Sequence, residues 1–448
     1  MQTNKLKHSL RVGIVGTGIA GMSAAWLLSK KHDVTVFEME NRVGGHSNTV
    51  DIDGLGIDTG FIVYNAKNYP NLTALFDYLG VASQPTQMSF GVSVDQGKFE
   101  YSGGSIPGLF ARKSNLFRPR FWRMTRDILR FYNDAKLILT SDVNNDLTVG
   151  QYLHEQGYSK SFTHDHLLPM GAAIWSTPID KMLEYPLMAF LEFCDNHGLL
   201  QFRERPEWRT VIGGSREYIK HLVKDYYKKI KIDRAVKQVW SDTSGAYIMD
   251  YKDNIFNFDQ VVMATHADQT LKILKTPSSV ELNVLGSFSY QTNEAILHTD
   301  PTLMPNSKKA WSSWNYLNTR TKGQNNVCVT YWMNKLQDLK TKTNYFVTLN
   351  PTKQIKQDKI LRRFTYQHPV FNNKTRIAQR NLWNLQGKKL FWFCGSYFGH
   401  GFHEDGLQSG LAVAEELGGF SRPWSVKNQN GRIYLPENWP NYETKEAG

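Results

Sequence analysis

Gly16, Gly18 and Gly21 stand in the spacing G-x-G-x-x-G, and Glu38 follows about 20 residues after the first of them. That pattern suits a dinucleotide. The first glycine permits a tight turn, the second lets backbone amides approach a pyrophosphate, the third lets a helix pack close to a sheet, and the acid accepts ribose hydroxyls. These residues work only if the chain holds them in place. The apolar run 12–15 predicts a strand, and 19–29 predicts a helix that aims its free N–H groups at phosphates. A second strand over 34–37 delivers Glu38. Ile19 and Ala20 open the helix and join the expected cofactor contacts.

A second turn of this kind lies far along the chain. Residues 389–417 read as a buried strand ending in Gly395, a glycine-rich loop, and a small-residue helix starting near Glu404 or Asp405. With Ser409, Gly410 and Ala412 on it, that helix can approach a flat ring closely and set its positive end beside an anionic one. Two separated turns of this type are the pattern of a discontinuous FAD domain. Between them, 260–265 predicts a buried strand, 89–102 a hairpin, 231–240 a strand, and 246–258 another hairpin. Residues 285–386 form a second strand-rich region, in which Trp311, Trp314, Tyr316 and Tyr331 either line an elongated pocket or pack on a sheet face. The basic stretch 353–363 reads as a solvated helix or loop.

Composition narrows the function classes. A chain of 448 residues, 41% hydrophobic and 13% aromatic, buries a large core and divides into two or three domains. No apolar run approaches about 18 residues, so neither a spanning helix nor a cleavable signal is expected. Cys194, Cys328 and Cys394 are odd in number and far apart, which argues against a disulfide framework or a metal site and for a reducing, cytoplasmic compartment. The net charge of +12 favours an anionic partner, and no nucleic-acid-binding motif accompanies it. Much of it gathers in 111–131, where Arg112, Lys113, Arg118, Arg123 and Arg126 are interleaved with Phe117, Phe121 and Trp122. That segment suits an anionic membrane interface, or a solvated helix with a buried aromatic stripe.

Arg42, Gly44 and Gly45, placed after the second strand, resemble the E-x-x-x-R-x-G-G continuation of the flavin amine oxidase superfamily. That superfamily includes amine oxidases, protoporphyrinogen oxidases and phytoene desaturases. DTGF at 58–61, DQVVMAT at 259–265 and GSYFGHGFHEDGLQSG at 395–410 extend the resemblance over nearly the whole chain. Within the superfamily it is similar to a family of predicted FAD/NAD-binding flavoproteins and to the flavoprotein-like N-terminal half of plant cyclopropane fatty acid synthases.

The resemblance implies that Arg42, Gly44 and Gly45 border the pyrophosphate and flavin of a non-covalent FAD. It further implies that the Val236 backbone meets the adenine, and that Ala264, Gly395 and Ser409 complete the site. Glu404 is an alternative carboxylate for the ribityl chain, since Ser396 follows Gly395 where many members carry an acid. His46 replaces the second arginine common in amine oxidases, which argues against an amine substrate. His46, His400 and His403 are the candidate acid/base groups, because their motifs converge on the flavin and imidazole titrates near neutrality.

The implied architecture is α/β. A Rossmann-like FAD domain is assembled from 8–75, 205–275 and 388–420, with an inserted α+β substrate domain from 76–204 and 276–387 and a polar surface tail over 421–448. The implied activity is FAD-dependent oxidation of an unsaturated or modified fatty acyl lipid by hydride transfer to the flavin. Alternatives are a double-bond isomerase, a flavin-bearing partner of a lipid methyltransferase and, more weakly, an amine oxidase. Residues 111–131 would then face the inner surface of an anionic membrane.

Overall fold

The computed structural model describes residues 8–103, 105–141, 147–175, 178–201, 206–318, 328–437 and 439. Outside them lie Ser176 and Thr177 of the apolar segment after Met170, the domain boundary at 204 and 205, and the expected tail from 440 onward.

Among the described residues, five parallel strands make the sheet that carries the early glycine turn. They are β1 (Arg11–Val15), β2 (Asp33–Phe37), β3 (Ile230–Lys231), β4 (Gln260–Met263) and β5 (Phe391–Phe393), in the order β5-β4-β1-β2-β3. Val12 lies opposite Val34 on one side and Gln260 on the other. Near-continuous apolar strands of this kind belong in a sheet covered on both faces.

Helix α1 (Ile19–Leu28) follows β1, and all ten of its residues are buried. A helix buried all round has no solvent face to make amphipathic, which fits its uniformly apolar and small residues. Pro70–Leu79 forms α2, Pro119–Thr140 α3, Arg216–Val223 α4 and His403–Gly418 α5. α5 lies against α1 in the same direction. Gly406 packs on Ile19, Gly410 on Ala20 and Ser23, and Gly418 on Leu28. The two N-termini therefore sit side by side.

Seven further strands form a mixed sheet. In order these are Ile360–Val370, Ser289–His298, Phe346–Leu349, Cys328–Trp332, Trp314–Asn318, Phe90–Val94 and Phe99–Ser102, antiparallel except where Trp314–Asn318 runs parallel to Phe90–Val94. The arrangement is the α/β architecture the motifs imply. Trp314 meets Tyr331 edge-on at 5.0 Å and Tyr316 is fully buried, so these rings pack a sheet face.

Three local expectations change. The basic stretch at 353–363 runs into the edge strand Ile360–Val370, where Arg362 and Arg363 deter pairing with another chain. The strand expected over 231–240 is interrupted, since Asp233 takes a positive φ of 49° between Ile230–Lys231 and Val236–Asp242. The tail is not a loose polar surface segment through its described part. Arg422 is buried and forks onto Glu415 with two bonds of 2.7 Å, and Trp424 stacks on Trp26 at 5.6 Å. A buried arginine is tolerated because its donors are met, here by Glu415 and by Asn71 at 2.8 Å.

Candidate flavin site

The early turn is built by close approach. Gly16 has φ +104°, open to glycine, and an added Cβ would lie 2.8 Å from the Ala264 carbonyl at the end of β4. At Gly21 a Cβ would overlap the Gly16 carbonyl and touch Ala264. Gly18, in contrast, faces open space. Glu38 is buried and accepts from the Thr17 amide at 3.0 Å, the Thr17 hydroxyl, and the Glu40 amide at 2.9 Å. Beside it a cavity of about 170 Å3 is lined by Met39, Arg234, Ala235 and Tyr251. The side chain of Val236 is buried, and its neighbour Ala235 reaches the cavity.

The loop after β2 folds back over this turn. Gly44 donates to the Thr17 carbonyl at 3.1 Å, and Gly45 lies close enough that a Cβ would sit 3.1 Å from the Gly18 Cα. Arg42 fastens its own loop, donating to the Gly45 carbonyl at 2.9 Å and pairing with Glu40. Asp58 is a buried anchor for the following segment. It accepts from Thr49, from the Ser215 amide and hydroxyl, and from Gln337, while burial raises its carboxyl to about 6. Its neighbours Gly60 and Phe61 then return to His46, whose carbonyl accepts from the Phe61 amide at 2.8 Å.

The imidazoles converge only in part. His46 lies 5.1 Å from the Tyr366 ring, 5.4 Å from His368 and 6.2 Å from His266. His403 stacks on Phe61 at 4.0 Å and bonds the Tyr218 hydroxyl at 2.8 Å, which in turn bonds Ser47 at 2.6 Å. Burial and neighbouring imidazoles hold His46 well below its ordinary value. Burial takes His368 to about 4 and His403 to about 3. All three are neutral at pH 7. His400 keeps different company, its ring 6.3 Å from Phe193, and burial holds it below its ordinary value against the pull of Asp405.

His368 and Tyr366 are the members that reading the sequence left without a role. They sit two apart on Ile360–Val370, and the alternation of that strand puts both on one face.

Two residues expected at the cofactor have other duties. Glu404 accepts from the amides of Asn71 and Leu72 at 3.0 Å and from the side chains of Asn71 and Gln408, so it caps α2. The hydroxyl of Ser409 accepts from the Gly395 amide at 3.0 Å and closes the late turn.

The residues present fit FAD. Gly18 offers an open cradle, and the N-termini of α1 and α5 converge beside it. His46 Nε2 and His266 Nδ1 are buried with no hydrogen-bond partner among the described residues. Groups left orphaned in this way call for a polar ligand. The cysteines are buried and form no disulfide, and Cys394 lies at the end of β5 in the sheet core, so none is placed as a tether.

Known proteins agree with this geometry. The model of flavin containing amine oxidoreductases matches residues 19–367. An uncharacterised protein of Methanocaldococcus jannaschii is 25% identical over 59% of this chain and 60% of its own length. The 4,4'-diapophytoene desaturase of Staphylococcus aureus is 38% identical over 52 residues, 11% of this chain and 10% of the desaturase. The chain thus spans less than two thirds of either relative. Among solved structures, a putrescine oxidase variant superposes with TM-score 0.66 at 13% identity, covering 92% of this chain and 99% of the other. A fatty acid isomerase of P. acnes that produces CLA gives 0.65 at 14%, covering 92% and 98%. These likenesses describe the fold. With the family model spanning most of the chain and the cradle in place, this protein belongs to the flavin containing amine oxidoreductases.

Proposed function

We propose that the protein acts on the uncharged, apolar chain of an unsaturated or modified fatty acyl lipid. The observation that carries this reading is the cluster of rings around His46, with Tyr366 at 5.1 Å and His368 at 5.4 Å, and with His403 stacked on Phe61 nearby. Burial keeps these imidazoles uncharged, and the nearby carboxylates Asp58, Glu404 and Asp405 are engaged by protein donors. A cationic amine finds no countercharge in this cluster, whereas the rings offer an apolar chain surface to lie against. The adjoining rings of Tyr366 and Phe61 add apolar surface.

Bound FAD supplies a two-electron acceptor for a substrate C–H bond. Gly18, Gly44 and Gly45 would hold its pyrophosphate side, Glu38 its ribose, and His46 with the N-terminus of α5 its ring. His46 is neutral, with Nε2 unpartnered, and can accept or return a proton there. Phe61 and Tyr218 fix the orientation of His403.

A second reading is double-bond isomerisation. It is supported by the structural neighbour that is a fatty acid isomerase, and the short desaturase match supports chemistry on unsaturated carbon more generally. Anaerobic mixing with unsaturated fatty acids and phospholipids separates the two. Bleaching of the flavin near about 450 nm is expected for oxidation, and an altered lipid without bleaching for isomerisation. Bleaching by amines and by no lipid would overturn both.

A further inference from the structure

We propose that the face formed by the 3-10 turn Lys113–Phe117 and the outer side of α3 docks on an anionic phospholipid surface. The surface is independent of the substrate assigned above. Phe117 is 85% exposed at the tip of the turn, and Trp122, 48% exposed, ties that turn to the helix by donating from Nε1 to the Leu116 carbonyl at 2.9 Å. Packing alone does not explain side chains this large and this exposed, Phe117 above all. They share this face with cations. Down the 22-residue helix the exposed positions include Arg123, Arg126, Leu129, Lys136 and Leu137, and they include no carboxylate.

The acids of α3 are held by partners within the protein. Asp127 is buried and accepts from Ser159 and Arg126, and Asp134 is bonded by Tyr158 at 2.6 Å. The inner side holds the helix in place through Phe121, Met124, Ile128 and Phe131, and Arg120 is clamped between Asp95 and Asp165 at 2.6 Å. The segment is therefore sorted into a buried aromatic stripe and an outer stripe of cations and exposed apolar groups. A single stripe of solvated arginines would need no Phe117 or Leu137 outside. This mixture, on a helix about 33 Å long, is the composition of an interfacial helix lying in the headgroup plane. Among the described residues no helix is long and apolar enough to cross the membrane, so contact through this helix is along the surface.

The test uses the full-length FAD-loaded protein and sedimentation with lipid vesicles. Binding is expected to vesicles containing phosphatidylglycerol and not to pure phosphatidylcholine, with release in about 1 M salt. F117S/W122S should weaken it about tenfold, and R123E/K136E should do the same, with flavin content unchanged in both. Failure to sediment with phosphatidylglycerol vesicles, or unchanged binding by both variants, would overturn the proposal. A dimer of the wild type in light scattering, lost in F117S/W122S without any vesicle binding, would overturn it in favour of a second copy of the chain.

Discussion

The two glycine-rich turns look alike in sequence and do different work. At the early turn, Gly16 and Gly21 are set by backbone approach to each other and to Ala264, and Gly18 is left open. At the late turn, the polar residues face inward to the protein. Ser409 closes the Gly395 turn, Asp405 accepts from the Phe402 amide at 2.7 Å, and Glu404 caps a helix from a distant part of the chain. A site made of backbone shape can be read from spacing alone. A site made of side chains depends on which partners the fold brings to them.

That contrast can be tested from both ends. The largest effect is expected for Gly21→Ala and Gly410→Ala, because each new methyl meets a backbone carbonyl with nowhere to move. Each should cost about 3 kcal/mol, seen as a lowered thermal midpoint with or without FAD. Glu404→Ala strands the amide donors of Asn71 and Leu72 and should cost about 2 kcal/mol, with FAD affinity nearly unchanged. If titration of the apoprotein showed FAD binding collapsing while the melting curve stayed put, Glu404 would be a cofactor ligand and the contrast would fail.

A smaller effect should follow pH. His46, His368 and His403 titrate lower in the folded chain than their ordinary 6.5, so the unfolded chain takes up protons first on acidification. Their contribution is whole above about pH 6.5 and is lost as pH falls through about 4 for His368 and about 3 for His403. Asp58 opposes this. Raised to about 6 from 3.8, it lets the folded chain hold the extra proton, so its contribution falls as pH rises between those values. Urea unfolding from pH 7 to 4 should show net loss of stability, and His368→Gln should flatten that slope. The smallest effect on stability is expected at Gly18→Ala. Its φ of −62° suits alanine and the methyl meets nothing, so the apoprotein should melt within about 0.5 kcal/mol of the wild type, while FAD affinity drops about tenfold.

The same distinction explains what was legible beforehand. Strand, turn, helix and acid at 11–38 could be read because each residue answers to its near neighbours. The edge strand Ile360–Val370 is hidden in the sequence because its charged residues, which protect an edge, look like those of a solvated helix. Arg422 reads as a surface residue because nothing local announces that Glu415 and Asn71 enclose it. His368 joined the site only through the pairing of its strand with Ser289–His298.

The order in which these pieces are made has a biological consequence. Helix α1 is buried on every side, yet α5, which covers it through Gly406, Gly410 and Gly418, is translated only after most of the chain has emerged. Until then an apolar helix and the open edges of β1 and β2 are exposed on a nascent polypeptide. Translation must pass α5 before the nucleotide cradle can close. Such a chain is expected to lean on chaperones during synthesis and to acquire its flavin only after release.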